Sequence, residues 1–200
     1  MSKVVIAGDA SGTGTFTISA PNGNTDRTLV LPDEAGTVLT SVGVPASAMP
    51  AGSVLQVVNV VKVDVFSSTS TSYIDITGLS VSITPTATSS KILIVPSIFL
   101  SQASNNYAVS AQLVRGATPL GNTTGTTHAN FASSTSLSPS DRRGIGQTTF
   151  TYLDSPATTS EVTYKIQGKT AISATWYINR WELNTDVSGS SSLLVMEIAG

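Results

Sequence analysis

The chain's only histidine, His128, lies in Gly125-Thr126-Thr127-His128-Ala129-Asn130. A Ser–His–Asp relay needs an imidazole to take the nucleophile's proton, so any such site must be built on His128. No G-x-S-x-G turn presents a serine to it, and His128 reads as an exposed loop imidazole. Two carboxylates converging across a cleft could hydrolyse a glycosidic bond. The twelve acids fall mostly at turns and strand ends, among them Asp33, Glu34, Asp141, Asp154 and Asp186, so solvation is the expectation there. Cysteine is absent, which removes disulfides, thiolate metal sites and cysteine nucleophiles. Gly8-Asp9-Ala10-Ser11-Gly12-Thr13-Gly14 lacks the Lys-Ser/Thr of a phosphate loop, and no helix follows it. Asp9 lacks the acidic ladder of a calcium loop. The expectation is a non-enzymatic protein with no catalytic residue, no metal and no cofactor.

The aromatic residues are better suited to binding. Trp176, Tyr177 and Trp181 share one predicted strand, residues 172–183. Side chains alternate along a strand, so Tyr177 and Trp181 face one way, Trp176 and Arg180 the other. Aromatics with polar tips form saccharide platforms, but in a β-protein they more often cap a core or a subunit interface. Trp181 is accordingly a candidate interface residue. Tyr177 joins His128 and Asn130 as a candidate ligand surface.

Strand signals recur about every ten residues from Val54 onward, as in an all-β sandwich or barrel. They cover 54–66, 73–77, 79–84, 91–101, 107–115, 148–153, 161–167, 172–183 and 193–198. No long stretch repeats with helical spacing. Residues 1–40 carry only short β-prone pieces, such as Thr15-Phe16-Thr17-Ile18 and Thr28-Leu29-Val30-Leu31. Isolated hairpins are marginal in water, so this arm must pack on something else. Residues 41–53, SVGVPASAMPAGS, read as an extended linker, and 121–147, rich in Thr, Ser and Gly, as a long surface excursion.

In Glu161–Gln167 apolar and polar residues alternate, one face buried and one wet. By contrast, 54–65 and 91–100 are apolar on both faces. Either these strands are enclosed within the domain, or another subunit covers their second face. Val58, Val60, Ile94 and Ile98 are the candidate interface residues. Pro96 adds a constraint, because proline is tolerated mainly at sheet edges and bulges.

Composition excludes several classes. Charged residues make up 11% of the 200, less than half the usual share, and the net charge is −2. The ten basic residues form no stripe, which argues against nucleic-acid binding. No apolar run reaches the ~20 residues of a membrane span. Gly8-Asp9 cuts the N-terminal apolar stretch short of a signal peptide, so no export is expected and the Asn122-Thr123-Thr124 sequon reads as coincidence.

Whole segments carry a family resemblance. GTFTISAPNGNTDRTLVLPDEAGTVLT (14–40) resembles a module common in bacteriophage tail-fibre and virion-fibre proteins. Four further blocks are similar to a C-terminal domain of phage fibre-like proteins. These are GSVLQVVNVVKVDVFSSTSTSYIDITGLSVSITPTATSSKILIV (52–95), QLVRGATPLG (112–121), FTYLDSPATTSEVTYKIQ (150–167) and YINRWELNTDVSGSSSLLVMEIAG (177–200). The resemblance implies a jelly-roll-like antiparallel β-sandwich that forms a homotrimer and has a non-catalytic place on the virion surface. On that basis residues 1–40 attach to capsid or tail proteins through Ile18, Arg27, Leu29, Leu31 and Pro32, residues 41–53 link, and 54–200 form a displayed knob. Such modules usually end fibres hundreds of residues long. The short chain therefore points to a short fibre, spike or capsid decoration protein, made in the host cytoplasm. The rival is a tail-fibre tip that holds host-surface glycan during adsorption. No nucleic acid and no membrane insertion are expected.

Overall fold

β-Branched residues dominate the strand signals, and they favour the pleated, half-buried surface of a sheet. The computed structural model describes residues 11–13, 23, 44, 46–102, 109–121, 132–133, 145–181, 186 and 188–200. The chain divides into two units, Met1–Val38 and Leu39–Gly200, and the described elements lie in the second. After a 3-10 turn at Ala46–Ala48 come twelve strands. They are β1 (Val54–Lys62), β2 (Phe66–Ser68), β3 (Ile74–Ile83), β4 (Lys91–Gln102), β5 (Val109–Arg115), β6 (Thr118–Leu120), β7 (Ala132–Ser133), β8 (Ile145–Thr149), β9 (Tyr152–Asp154), β10 (Val162–Thr170), β11 (Trp176–Ile178) and β12 (Ser191–Ile198). Among the described residues there is no α-helix, and no helix is long and apolar enough to cross a membrane.

Two antiparallel sheets form a sandwich. The first runs β1–β12–β4–β11–β2, with β9 and β8 end to end along the other side of β4; the second runs β3–β10–β5–β6, with β7 also on β5. Take β8 and β9 as one strand and set aside the short β2, β7 and β11. Eight strands then remain, in the spatial order first–eighth–third–sixth opposite second–seventh–fourth–fifth, which is the jelly-roll arrangement. Their inner faces meet in one core that includes Ile76, Leu79, Ile92, Ile94, Ile98, Leu113, Tyr164, Ile166, Trp176, Ile178, Leu193 and Val195.

Single residues explain where the strands depart from expectation. Residues 73–77 and 79–84 are one strand, β3, because Gly78 takes φ 86° and absorbs a register shift against β10. Pro96 lies inside a central strand, where a missing N–H should be costly. It falls at the gap where β4 changes partner, after Ile94 pairs Tyr152 of β9 and before Ser97 pairs Thr149 of β8. The excursion 121–147 is not irregular throughout, since Ala132–Ser133 pairs with β5 and Ile145–Thr149 with β4.

The predicted strand 172–183 shortens to Trp176–Ile178. Asn179 then turns left-handed at φ 64°, a conformation that Asn tolerates better than most residues. It is fully buried and fully bonded. Its Nδ2 donates to the carbonyls of Lys62 and Asp64 (2.8 and 3.1 Å), its Oδ1 accepts from Ser191 Oγ (2.6 Å), and its N–H donates to Phe99 O (3.0 Å). Through its side chain and its own N–H, Asn179 thus ties the end of β1, the start of β12 and β4 together. The break also ends the alternation, so Arg180 does not share a face with Trp176. Its guanidinium lies 4.7 Å from the ring centre of Tyr177.

Candidate assembly surface

Because the register is known, the outward side chains of the first sheet can be read row by row. Directly opposed residues share a face. Val57 pairs Met196, Met196 pairs Leu93, and Leu93 pairs Leu153, so an apolar row crosses β1, β12, β4 and β9. The next row holds Asn59, Leu194 and Val95; beyond it come Val61, Ser192, Ser97 and Thr149. On the other side lie Val54, Ile198 and Lys91. The margins stand furthest into solvent: Val54, Val57 and Val61 are 50%, 56% and 53% exposed, and Leu153 is 57% exposed. Lys91 is the one charge in these four rows, and its Nζ donates to Ser155 Oγ at 2.9 Å.

The opposite face of the sandwich shows what a solvated sheet looks like in the same chain. On the second sheet Ser82 Oγ and Thr163 Oγ1 are 2.9 Å apart, Lys165 Nζ donates to Asp75 (2.8 Å), and Gln167 Nε2 donates to Asp75 (2.7 Å). These hydrogen bonds and the Lys165 ion pair hold Asp75 below the usual carboxylate range. One face is therefore laced with polar pairs; the other is apolar over most of its rows and polar where Gln147 Nε2 and Thr149 Oγ1 donate to Ser97 Oγ (2.8 and 3.0 Å). Water satisfies the first, whereas wetting the second is unfavourable.

The candidate interface residues named from sequence have the wrong phase. Ile94 and Ile98 are buried in the chain's own core, and Val58 and Val60 pack against it. Their neighbours Val57, Val61, Leu93 and Val95 point outward instead. Those residues, with Leu153, Leu194 and Met196, were missed. The signal was partial: polar Asn59 shares the parity of Val57 and Val61, and Lys91 and Ser97 share that of Leu93 and Val95, but Gln56 and Lys62 share that of the inward Val58 and Val60. Trp181 is half-buried, with its indole N–H lacking a hydrogen-bond partner. Tyr177 is half-buried under Arg180, while His128 and Asn130 lie outside the described residues. So do Ile18, Arg27, Leu29, Leu31 and Pro32.

Two carboxylates sit buried at the end where the chain enters β1. Asp154 accepts two bonds from Arg115 Nη1 (2.9 and 2.8 Å) and one from Tyr164 OH (2.7 Å). Burial, then the Asp154 carboxylate, pushes the Tyr164 phenol up from its ordinary value. Among the described residues no cation pairs with Glu197. Its Oε1 accepts from Ser90 Oγ (2.6 Å), Thr86 Oγ1 and Thr86 N–H (both 2.7 Å), and its Oε2 from Gln56 Nε2 (2.6 Å). Burial alone would raise this carboxyl; the four hydrogen bonds outweigh it and hold the group below its usual value. Both acids are therefore fastened in place by the fold, and the hydrogen bonds of Glu197 favour its charged form. Among the described residues no group of three or more His, Asp or Glu is placed to hold a metal ion.

No family model matches the chain, and no curated protein matches it. Among solved structures it is similar to the infectious bursal disease virus VP2 subviral particle, at 13% identity and a TM-score of 0.34. The match covers 72% of this chain and 37% of that one, so the chain spans little more than a third of that protein's length. This is a weak structural similarity to a viral capsid protein, and a likeness so slight fixes neither assembly nor function.

Proposed function

We propose that this chain is a non-enzymatic structural protein of a bacteriophage virion, a short trimeric fibre, spike or capsid decoration protein. Residues 1–40 attach it to the particle and 54–200 form the displayed knob. The observation that carries the reading is the uncharged apolar row Val57–Met196–Leu93–Leu153 on the outside of the sandwich. A catalyst needs converging chemistry; a building block needs a face that is better covered than wet. The sequence blocks similar to phage fibre proteins supply the virion context. The topology fits a mounted knob, since Gly52 N–H donates to Ala199 O and Ala199 N–H to Ser53 O (both 2.8 Å), gathering the entry to β1 and the end of β12 at one end.

The test is deletion of residues 2–40 in the phage, followed by mass spectrometry of purified particles. The expected result is a soluble knob missing from the particles; normal incorporation overturns the division of labour. Host-surface glycan binding is a second reading. It is favoured by the position of Tyr177 and Arg180, whose pairing with Ser101 places them about 33 Å along β4 from Lys91. That is the end away from the entry to β1. Purified protein that blocks phage adsorption supports it, and unchanged adsorption removes it.

A further inference from the structure

We infer that the outer face of the first sheet is covered by other copies of this same chain, the β1 margin of one copy meeting the β9 margin of the next. This deepens the trimeric reading above and rests on it.

Three observations choose the occupant. The first is charge. A nucleic acid or an anionic membrane surface would call for a basic patch, and an acidic or basic protein partner for the opposite sign. Across four rows the face offers a single lysine, already bonded to Ser155. An uncharged face does not repel its own copy, so identical chains can meet on it without like-charge cost.

The second is area. The half-exposed Val54, Val57, Val61 and Leu153, with the flatter Leu93, Val95, Leu194, Met196 and Ile198, make one contiguous apolar patch on the order of a few hundred Å². A patch of this order marks an interaction face, and two neighbours that divide it between them leave none of it in water. The third is shape. The most exposed side chains stand at the two margins, on β1 and β9, with flatter ground between. When three copies close round an axis, each face is shared between two neighbours. Opposite margins then meet, and Val57 of one copy comes against Leu153 of the next.

The geometry supplies its own control. Val57 and Leu153 lie three strand spacings apart in one chain, about 14 Å. A disulfide needs Cα atoms within about 7 Å, so the two positions cannot be bridged within a copy. The experiment is Val57→Cys together with Leu153→Cys in the full chain, oxidised gently and run on a non-reducing gel, with native mass spectrometry of the unmodified protein alongside. Both side chains are exposed, so neither change threatens folding. The expected result is a covalent trimer from the double variant, no cross-link from either single variant, and a trimer by native mass. A native trimer whose double variant does not cross-link overturns the margin-to-margin contact while leaving the trimeric reading standing. A covalent and native dimer overturns the ring but keeps self-association on this face. A native monomer at micromolar concentration overturns both.

Discussion

Glu197→Gln is the substitution whose consequence the structure specifies most fully. The buried carboxylate takes three donors on Oε1 and one on Oε2. In the variant the amide oxygen can keep the three from Ser90 and Thr86, but they lose their charge assistance, which roughly doubles a hydrogen bond's strength. The new amide nitrogen then meets Gln56 Nε2, a donor that also serves Thr84 O at 2.7 Å. Two buried donors face each other, and leaving one unsatisfied costs about 1–3 kcal/mol. The sum is about 3 kcal/mol at pH 7, or roughly 10 °C in melting temperature for a chain of this size.

The pH dependence follows from the lowered folded-state pKa of Glu197. A carboxyl held below its unfolded value, here 4.5, contributes stability that is fully present above that value and is lost as the pH falls through the folded one. The Gln variant has no proton to gain there. Melting curves of the two proteins, at one fixed concentration because assembly shifts apparent stability, should stay about 10 °C apart from pH 7 to 5 and converge below 4.5. A gap that persists unchanged down to pH 2, or no gap at pH 7, refutes the account of Glu197 as a bonded buried anion.

Two other substitutions test the interior. In Gly168→Ala the new Cβ would lie 2.5 Å from Trp176 Cη2, and the indole, packed 5.4 Å from the Phe66 ring, has little room to yield. Urea unfolding should show a loss of about 1–3 kcal/mol; an unchanged midpoint would mean the indole moves freely. At Asn179, Gly keeps the left-handed turn while Ala does not, and both lose the bonds to Lys62, Asp64 and Ser191. Asn179→Ala should therefore be less stable than Asn179→Gly by about 1 kcal/mol, with both below the native chain, and equal midpoints would discount the backbone turn.

How much of this was legible depended on whether polar residues marked the phase of each strand. In β10, Thr163, Lys165 and Gln167 alternate with Val162, Tyr164 and Ile166, and the buried side followed directly. In β1 and β4 both parities are apolar, so period two shows that two faces need cover but not which residues form each. Asn59, Lys91 and Ser97 carried the phase, but Gln56 and the buried Lys62, polar and on the inward parity of β1, spoke against it. β12 gave mixed signs, with Ser192 outward but Ser191 and Glu197 inward. Glu197 is an acid in an apolar strand, and its three partner residues, Gln56, Thr86 and Ser90, lie up to 141 residues away, beyond any local pattern. The short β11 was unreadable for a similar reason: Asn179 takes a left-handed turn because its side chain bonds the end of β1 and the start of β12 and its N–H bonds β4, not because its neighbours call for one.

Under the proposed function, the pairing of β1 with β12 bears on how a knob mounted through its N-terminal side withstands drag. Tension arriving through residue 53 pulls along β1, whose rungs run from Val54–Ile198 to Lys62–Ser191. Pulled lengthwise toward that end, the ladder is sheared, so its rungs share the load instead of opening one after another like a zipper. Slippage by a single residue is blocked as well, since it would swing Val58 and Val60 out into water and Val57 and Val61 into the packed interior. The same greasy ribbon that asks for neighbours is thereby locked lengthwise against the strain of holding on.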